Sequence, residues 1–386
     1  MFRSIRFFVA VLALIVPTLF VIAQDDAPGL GGPLPGLSAE ARRLFELGRE
    51  DFLEVEEVED GLGPAFNGTS CAVCHNLPAI GGFGNVSELR AAWVAPRPAT
   101  ALIHLFSIPE HECQPHVPVN ATEVARRIPI PLFGAGLVEA IPDAILLALE
   151  DPADRNRDGI SGRAAIVSDP ASGQRRIGRF GWKAQQASLL AFSGDAYRNE
   201  MGITNDLFRD EEASGFNAQQ LAACDKAPDP EDVRDPATGL RGIDNFTNYM
   251  RFLAPPSRGE LTPEARAGAG QFVEIGCARC HVPALQTGPN SNPALDRKVV
   301  VAFSDFLLHN IGTGDGIAQG AASANEMRTP ALWGLRFRRP LLHDGRAANL
   351  SDAILQHRGE ADGVRGRYLR STPGEQAALR AFLMTL

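Results

Sequence analysis

Apolar and polar positions alternate along this chain in patterns that predict helices, loops and little sheet. LSAEAR at Leu37–Arg42 and LTPEAR at Leu261–Arg266 each set a Ser or Thr before a helix, and Pro263 suits a first helical turn. The C-terminal STPGEQAALRAFLMTL places Ala378, Leu379, Phe382, Leu383 and Leu386 at helical spacing, a face that would pack on the helix begun at LTPEAR. NLSDAILQHRGE reads as a short helix capped by Ser351 and ending near Gly359, with His357 on the face of Ala353 and Ile354. Between these segments Gly, Pro, Asp and Asn dominate, and no long alternating run calls for a substantial sheet. The expected fold class is mainly α with long loops and insertions.

The N-terminus carries a different pattern. Arg3 and Arg6 precede an apolar run from Phe7 to Val21, followed by small-residue spacing at Val21 and Ala23. This reads as a secretory signal over residues 1–23, cut after Ala23. Pro17 interrupts the run, which is shorter than the ~20 residues of a spanning helix. Residues 24–36 are Pro/Gly-rich and read as a flexible lead-in. At 386 residues the chain exceeds what one core usually organises. The proline-dense APPSRGE, Ala254–Glu260, divides it into an N-terminal module (37–255) and a C-terminal module (256–386).

Chemistry enters with two motifs. Cys71, Cys74 and His75 form one CxxCH, and Cys277, Cys280 and His281 form another. Thiols at i and i+3 reach the two vinyl groups of one porphyrin, and the adjacent histidine ligates its iron. A zinc site built from two CxxC knuckles, or a thioredoxin-type redox pair, would not need that histidine. Two covalent haems c, one per cytochrome c-like module, are the reading. The repeated helix start ahead of each motif supports two related modules. Export and covalent haem attachment both point to a periplasmic or secreted protein.

The net charge of −9, or −11 without Arg3 and Arg6, disfavours nucleic acid and anionic membranes and favours a positively charged redox partner. Cys113 and Cys224 remain outside the motifs; in an oxidising compartment a disulfide is the default, and two buried thiols the alternative. In DPADRNRDGISGR, Asp154, Asn156, Asp158 and Gly159 follow the order of a calcium loop. Ala165 stands where a bidentate Glu is expected, so the segment is half a calcium loop or an Asp/Gly turn cluster.

Four further segments, GRFGWKAQQASLLAFSGDAYRNEMGIT, FSDFLLHNIGTGDG, EMRTPALWGL and LLHDGRAANLSDAILQHRGEA, resemble the di-haem oxidoreductase family, itself similar to bacterial dihaem cytochrome c peroxidases. The resemblance covers nearly everything from residue 40 onwards. It implies electron transfer from a C-terminal haem to a peroxide-reacting N-terminal haem, with Glu200 moving a proton and Trp182 lying between the haems. Lys183 and Ala184 replace the acid and arginine that follow the tryptophan in those peroxidases. The histidine that closes the N-terminal haem in activatable members would fall at Ala91, so that iron is expected to be open. His104, His111 and His116 are the nearest alternatives. For the second iron the family spacing from His343 implies His357, with Met327 as the alternative; His309, Arg328 and His343 are then propionate or interhaem contacts. A calcium site ahead of His343 is in doubt, because Arg338 replaces the family's Thr near Pro340. The implied partners are peroxide and a small cytochrome or cupredoxin. A non-catalytic dihaem electron carrier with both irons closed is the competing reading.

Overall fold

The computed structural model describes residues 29–93 and 99–386; the expected signal segment and the start of the lead-in lie outside them. The helices among these residues are α1 (Ala39–Leu53), α2 (Cys71–Cys74), α3 (Ala135–Glu139), α4 (Asp143–Leu147), α5 (Leu189–Ala196), α6 (Ala218–Cys224), α7 (Gly242–Phe252), α8 (Pro263–Ile275), α9 (Leu350–Gln356), α10 (Asp362–Arg370) and α11 (Pro373–Leu383). Helix outweighs strand, 33 % against 14 %.

The helix starts follow from their caps. Ser38 accepts from the Ala41 N–H ahead of α1, and Thr262 from Ala265 ahead of α8. Thr372 and Glu375 form a reciprocal capping box on α11. On α9 the cap is Asn349 rather than Ser351: Asn349 is extended and its side chain accepts from the Asp352 N–H, so the helix begins earlier than expected. It ends at His357, which is its C-cap.

Two helix pairs organise the chain: α1 packs on α7, and α8 on α11. A glycine permits each approach. A Cβ on Gly48 would stand 2.1 Å from the Asn245 carbonyl oxygen, and one on Gly268 only 1.8 Å from that of Ala378. Phe45 and Phe52 pack against Tyr249 in the first pair, and Phe272, Phe303 and Phe382 meet edge to face in the second. The two halves share buried surface beyond Ala254–Glu260, since Phe252 and Leu253 belong to the same apolar core as Leu295, Phe306 and Trp333. The end of the lead-in is pinned before α1: Leu34 is buried and its N–H donates to the Phe252 carbonyl.

Sheet is more developed than the sequence pattern suggested. The strands of the first half are β1 (Ala65–Phe66), β2 (Glu88–Trp93), β3 (Ala99–Ile103), β4 (Phe106–Ser107), β5 (Glu123–Arg127), β6 (Ala165–Asp169) and β7 (Gln174–Gly178). β3, β2 and β5 form an antiparallel sheet with β2 central, in which Glu88 stands opposite Arg127. ELRAAW and EVARR hide this because charged positions among them face the molecule's interior, where an apolar face would ordinarily mark a strand. Cys113 and Cys224 are bridged. Among the described residues no helix is long and apolar enough to cross a membrane.

Candidate haem sites

The first CxxCH is a single helical turn capped by Ser70, whose side chain accepts from the Ala72 N–H. The chain then folds back over it. Gly81 donates to the His75 carbonyl, and His75 Nδ1 donates to the Gly82 carbonyl at 3.0 Å, which fixes the ring and leaves Nε2 as its metal-binding atom. A Cβ at Gly82 or Gly84 would come within 2 Å of the Leu77 or Cys74 carbonyl oxygen, so GGFG is what this tight return demands of the sequence. Burial holds His75 below the ordinary histidine range, keeping it neutral as a ligand must be. The motif opens on a cavity with about 1290 Å³ of empty space, counting its solvent-open part.

Glu200 lines that cavity on a π-helical turn, Tyr197–Met201, that continues α5. Such turns are frequent at functional sites. Asn67 holds Glu200 by donating to Oε2 at 2.9 Å. Facing it are Glu88 and Arg90, two positions apart on β2 and therefore on one face. Glu200 hydrogen-bonds Glu88 and is pushed up to about 8, by burial first and by the Glu88 charge second. Burial opposes ionisation of Glu88 as well, but the Arg90 charge and hydrogen bond, with Arg127 behind them, hold it below the usual carboxylate range. At neutral pH the pair therefore carries one proton, on Glu200. Glu88 and Arg90 escaped the sequence reading because the contact joins residues more than a hundred positions apart; the signal that could have found them is the alternate charges of ELR.

Among the described residues no histidine other than His75 lines this cavity. Ala91 is buried in β2. His104 is occupied at both ring nitrogens, by the Ser214 N–H and the Asn199 carbonyl. His111 lies against Asp225, and His116 packs near Phe216.

The second motif begins at Gly276, the left-handed C-cap of α8, and continues as a 3-10 turn, Cys277–Arg279. His281 Nδ1 donates to the Phe303 carbonyl at 3.0 Å, the same arrangement as at His75. Its cavity, with about 1490 Å³ of empty space, is also lined by Met327 and His357. His357 Nδ1 donates to the Ala353 carbonyl at 2.6 Å, leaving Nε2. Burial first, then the neighbouring His357 ring, push His281 down to about 4, so the two neutral imidazoles face a common space. His309 is committed elsewhere, between Asp305 at 3.0 Å and Glu360 at 2.8 Å.

Trp182 lines both cavities. Its Nε1 donates to the Ile128 carbonyl, His343 meets its ring edge-on at 6.1 Å, and the Arg338 guanidinium lies 5.0 Å over it. Lys183, the departure from the related peroxidases, is fully buried: Nζ reaches Asp315 at 3.0 Å and donates to the carbonyls of Ser323, Ala324 and Glu326. Asp315 also takes the Arg127 Nε–H at 2.7 Å. One carboxylate in the C-terminal half thus joins the strand beneath the first cavity to the tryptophan segment.

Residues 119–386 match the family described as "Di-haem oxidoreductase, putative peroxidase". The chain belongs to this di-haem oxidoreductase family. Among solved structures it is similar to the hydrazine synthase of Kuenenia stuttgartiensis, at 16 % identity over 95 % of this chain and 97 % of that one, TM-score 0.43. It is also similar to a MauG-like protein associated with microbial copper homeostasis, at 15 % identity over 95 % of each chain, TM-score 0.43. A third is the diheme peroxidase BthA of Burkholderia thailandensis, at 17 % identity over 93 % of this chain and 87 % of that one, TM-score 0.42. No curated protein matches the chain.

The di-haem oxidoreductase's residues fit two haems. Each cavity carries a CxxCH, a histidine with its Nδ1 already engaged, and buried donors awaiting an anion: Arg127 Nη2 at the first, Arg338 Nε and His343 Nε2 at the second. Propionates would supply the missing acceptors. The four motif cysteines are unpaired and divide between separate cavities, which is not the convergence that a zinc site of four cysteines needs. Burial raises their thiols, Cys74 and Cys277 to about 12, the opposite of a redox-active pair. In the 154–159 loop, Asp154 and Asn156 accept backbone N–H groups of their own turn, and Asp158 pairs with Arg279 at 3.1 Å. A cation thus already meets one expected calcium ligand, and the loop's own backbone meets the other two.

Proposed function

We propose that this oxidoreductase is a periplasmic or secreted c-type peroxidase that takes electrons from a small cytochrome or cupredoxin and reduces a peroxide at the His75 cavity. Two haems, attached through Cys71 and Cys74 and through Cys277 and Cys280, would supply electron storage and the iron at which an O–O bond is cleaved. His281 and His357 would both hold the second iron, and an iron with two protein ligands is suited to electron transfer. His75 would hold the first. The observation that carries this reading is the asymmetry of the cavities: a second imidazole, His357, stands in one, and the carboxyl pair Glu88 and Glu200 in the other.

The chain's own work is to move protons and bridge the sites. Reduction of H2O2 to two waters consumes two electrons and two protons. The Glu88–Glu200 pair can take the proton of an entering peroxide on Glu88 and deliver one from Glu200 to the departing oxygen, because Arg90 keeps Glu88 the ionised, proton-accepting member while Asn67 holds Glu200 at the cavity. Trp182, bordering both cavities, is the route between them, with electrons moving from the His281 side to the His75 side.

EPR of the oxidised protein tests this directly. One high-spin and one low-spin haem, with the high-spin signal perturbed by peroxide or cyanide, are expected. Two low-spin, peroxide-inert haems would establish the electron carrier instead, a role for which Met201 and Met250 in the first cavity wall are the available closing ligands.

A further inference from the structure

A second constellation lies away from both CxxCH motifs, where the segment around His111 meets the chain from Glu211 to Glu231. Glu211, Asp225, Asp229 and Glu231 each bring a carboxylate oxygen within 4.8 Å of the others. Acidic clusters are common on surfaces and by themselves mean little. Here the neighbourhood is different. His111 is only 7 % exposed, its Nδ1 has no hydrogen-bond partner, and that atom stands 3.9 Å from Asp225 Oδ1, on the Asp225 side of the cluster. Glu211 Oε2 and Glu231 Oε1 are likewise buried without a hydrogen-bond partner. Among the described residues no Lys or Arg forms an ion pair with any of the four carboxylates. Buried acceptors and a buried imidazole left in this state are costly unless something fills the space between them.

We propose that His111, Glu211, Asp225, Asp229 and Glu231 form a site for one divalent first-row transition ion, of the Zn2+ or Mn2+ kind. Carboxylates alone would suit calcium or magnesium, which take oxygen ligands. An imidazole nitrogen among them shifts the preference to ions that accept both donor types. The cation would relieve the mutual repulsion of the four clustered carboxylates. The scaffold is already closed around it: the Cys113–Cys224 disulfide ties the residue two places after His111 to the residue just before Asp225. Asp229 and Glu231 also grip Thr204, accepting from its Oγ1 and its N–H at 2.7 and 3.1 Å. Thr204 follows the π-helical turn of Glu200 by three residues, so an ion here braces the far end of the segment that presents Glu200 to the first cavity.

The experiment uses the full haem-loaded protein, treated with EDTA and titrated calorimetrically with Zn2+, Mn2+ and Ca2+, with total metal counted beside the two haem irons. One Zn2+ per chain should bind, Mn2+ should compete with it, Ca2+ should not, and the thermal midpoint should rise on binding. In His111→Gln and in Glu211→Gln/Glu231→Gln the affinity should fall by at least about tenfold, since loss even of an outer partner costs that much at metal sites. Both variants remove a group whose buried atom has no hydrogen-bond partner, so in EDTA they should melt no lower than the parent, which separates loss of the site from loss of the fold. The proposal is overturned by the absence of stoichiometric binding, by Zn2+ binding that survives the double substitution, or by a preference for Ca2+ that ignores His111. None of these outcomes bears on the spin states that test the peroxidase reading.

Discussion

Glu88 and Glu200 face the same cavity and are both buried, yet they sit in opposite protonation states because Arg90 and Arg127 flank Glu88 most closely. Glu200 keeps its proton up to about pH 8 and loses it above. Peroxide turnover that depends on one shared proton should therefore fall as pH rises through that value. Glu88→Gln deletes the charge that raises Glu200, so the alkaline limb of the rate profile should move to lower pH. Glu200→Gln should cut turnover by about 10²-fold or more with the haem spectrum unchanged, the scale of a lost general acid–base. Steady-state kinetics from acid to alkaline pH checks both. Of this pair only Glu200 was visible in the sequence, through its place beside Met201. Glu88 carries no local mark beyond the alternate charges of ELR, because what makes it functional is a neighbour 112 positions away.

At the scale of elements, the α1–α7 and α8–α11 pairs rest on glycines whose role is pure proximity. Gly268→Ala would drive a methyl into the Ala378 carbonyl and should destabilise by about 1–3 kcal/mol through overpacking. Gly270, two residues on in α8, is exposed, and a methyl added there would meet nothing within 4 Å, so Gly270→Ala should stabilise by about 0.5–1 kcal/mol. Thermal denaturation of the two variants side by side separates packing from helix propensity. The caps at Ser38, Thr262 and Thr372 were legible because a cap is a matter of a few adjacent residues. The shift from Ser351 to Asn349 shows the limit: both residues can cap, and the extended backbone at Asn349 made the choice.

Across the whole molecule, Asp315 joins Arg127 to Lys183 and so couples the first cavity to the tryptophan segment. Asp315→Asn would leave two buried cations facing a neutral amide, and a loss of about 3–5 kcal/mol is expected from urea unfolding. Burial alone would raise the Asp315 carboxyl, but Arg127 and Lys183 outweigh it and hold the group below its ordinary range. Its folded value is thus depressed, so the stability it confers is present above the unfolded value of about 3.9 and is lost as pH falls through the folded one. Trp182→Phe keeps an apolar ring but leaves the Ile128 carbonyl without its donor; slower reduction of the His75 side after rapid reduction of the His281 side, followed by stopped-flow absorbance, is the expected result. The sequence by itself determined the two CxxCH motifs, the helix starts at Ser38, Thr262 and Thr372 and the family, since each is written in residues close together along the chain. Only the tertiary structure decided that the cavities differ, that Trp182 borders both and that His111 meets Asp225 beside a cluster of carboxylates. Those facts depend on contacts between distant segments, where burial and neighbouring charge, rather than residue type, set what a side chain can do.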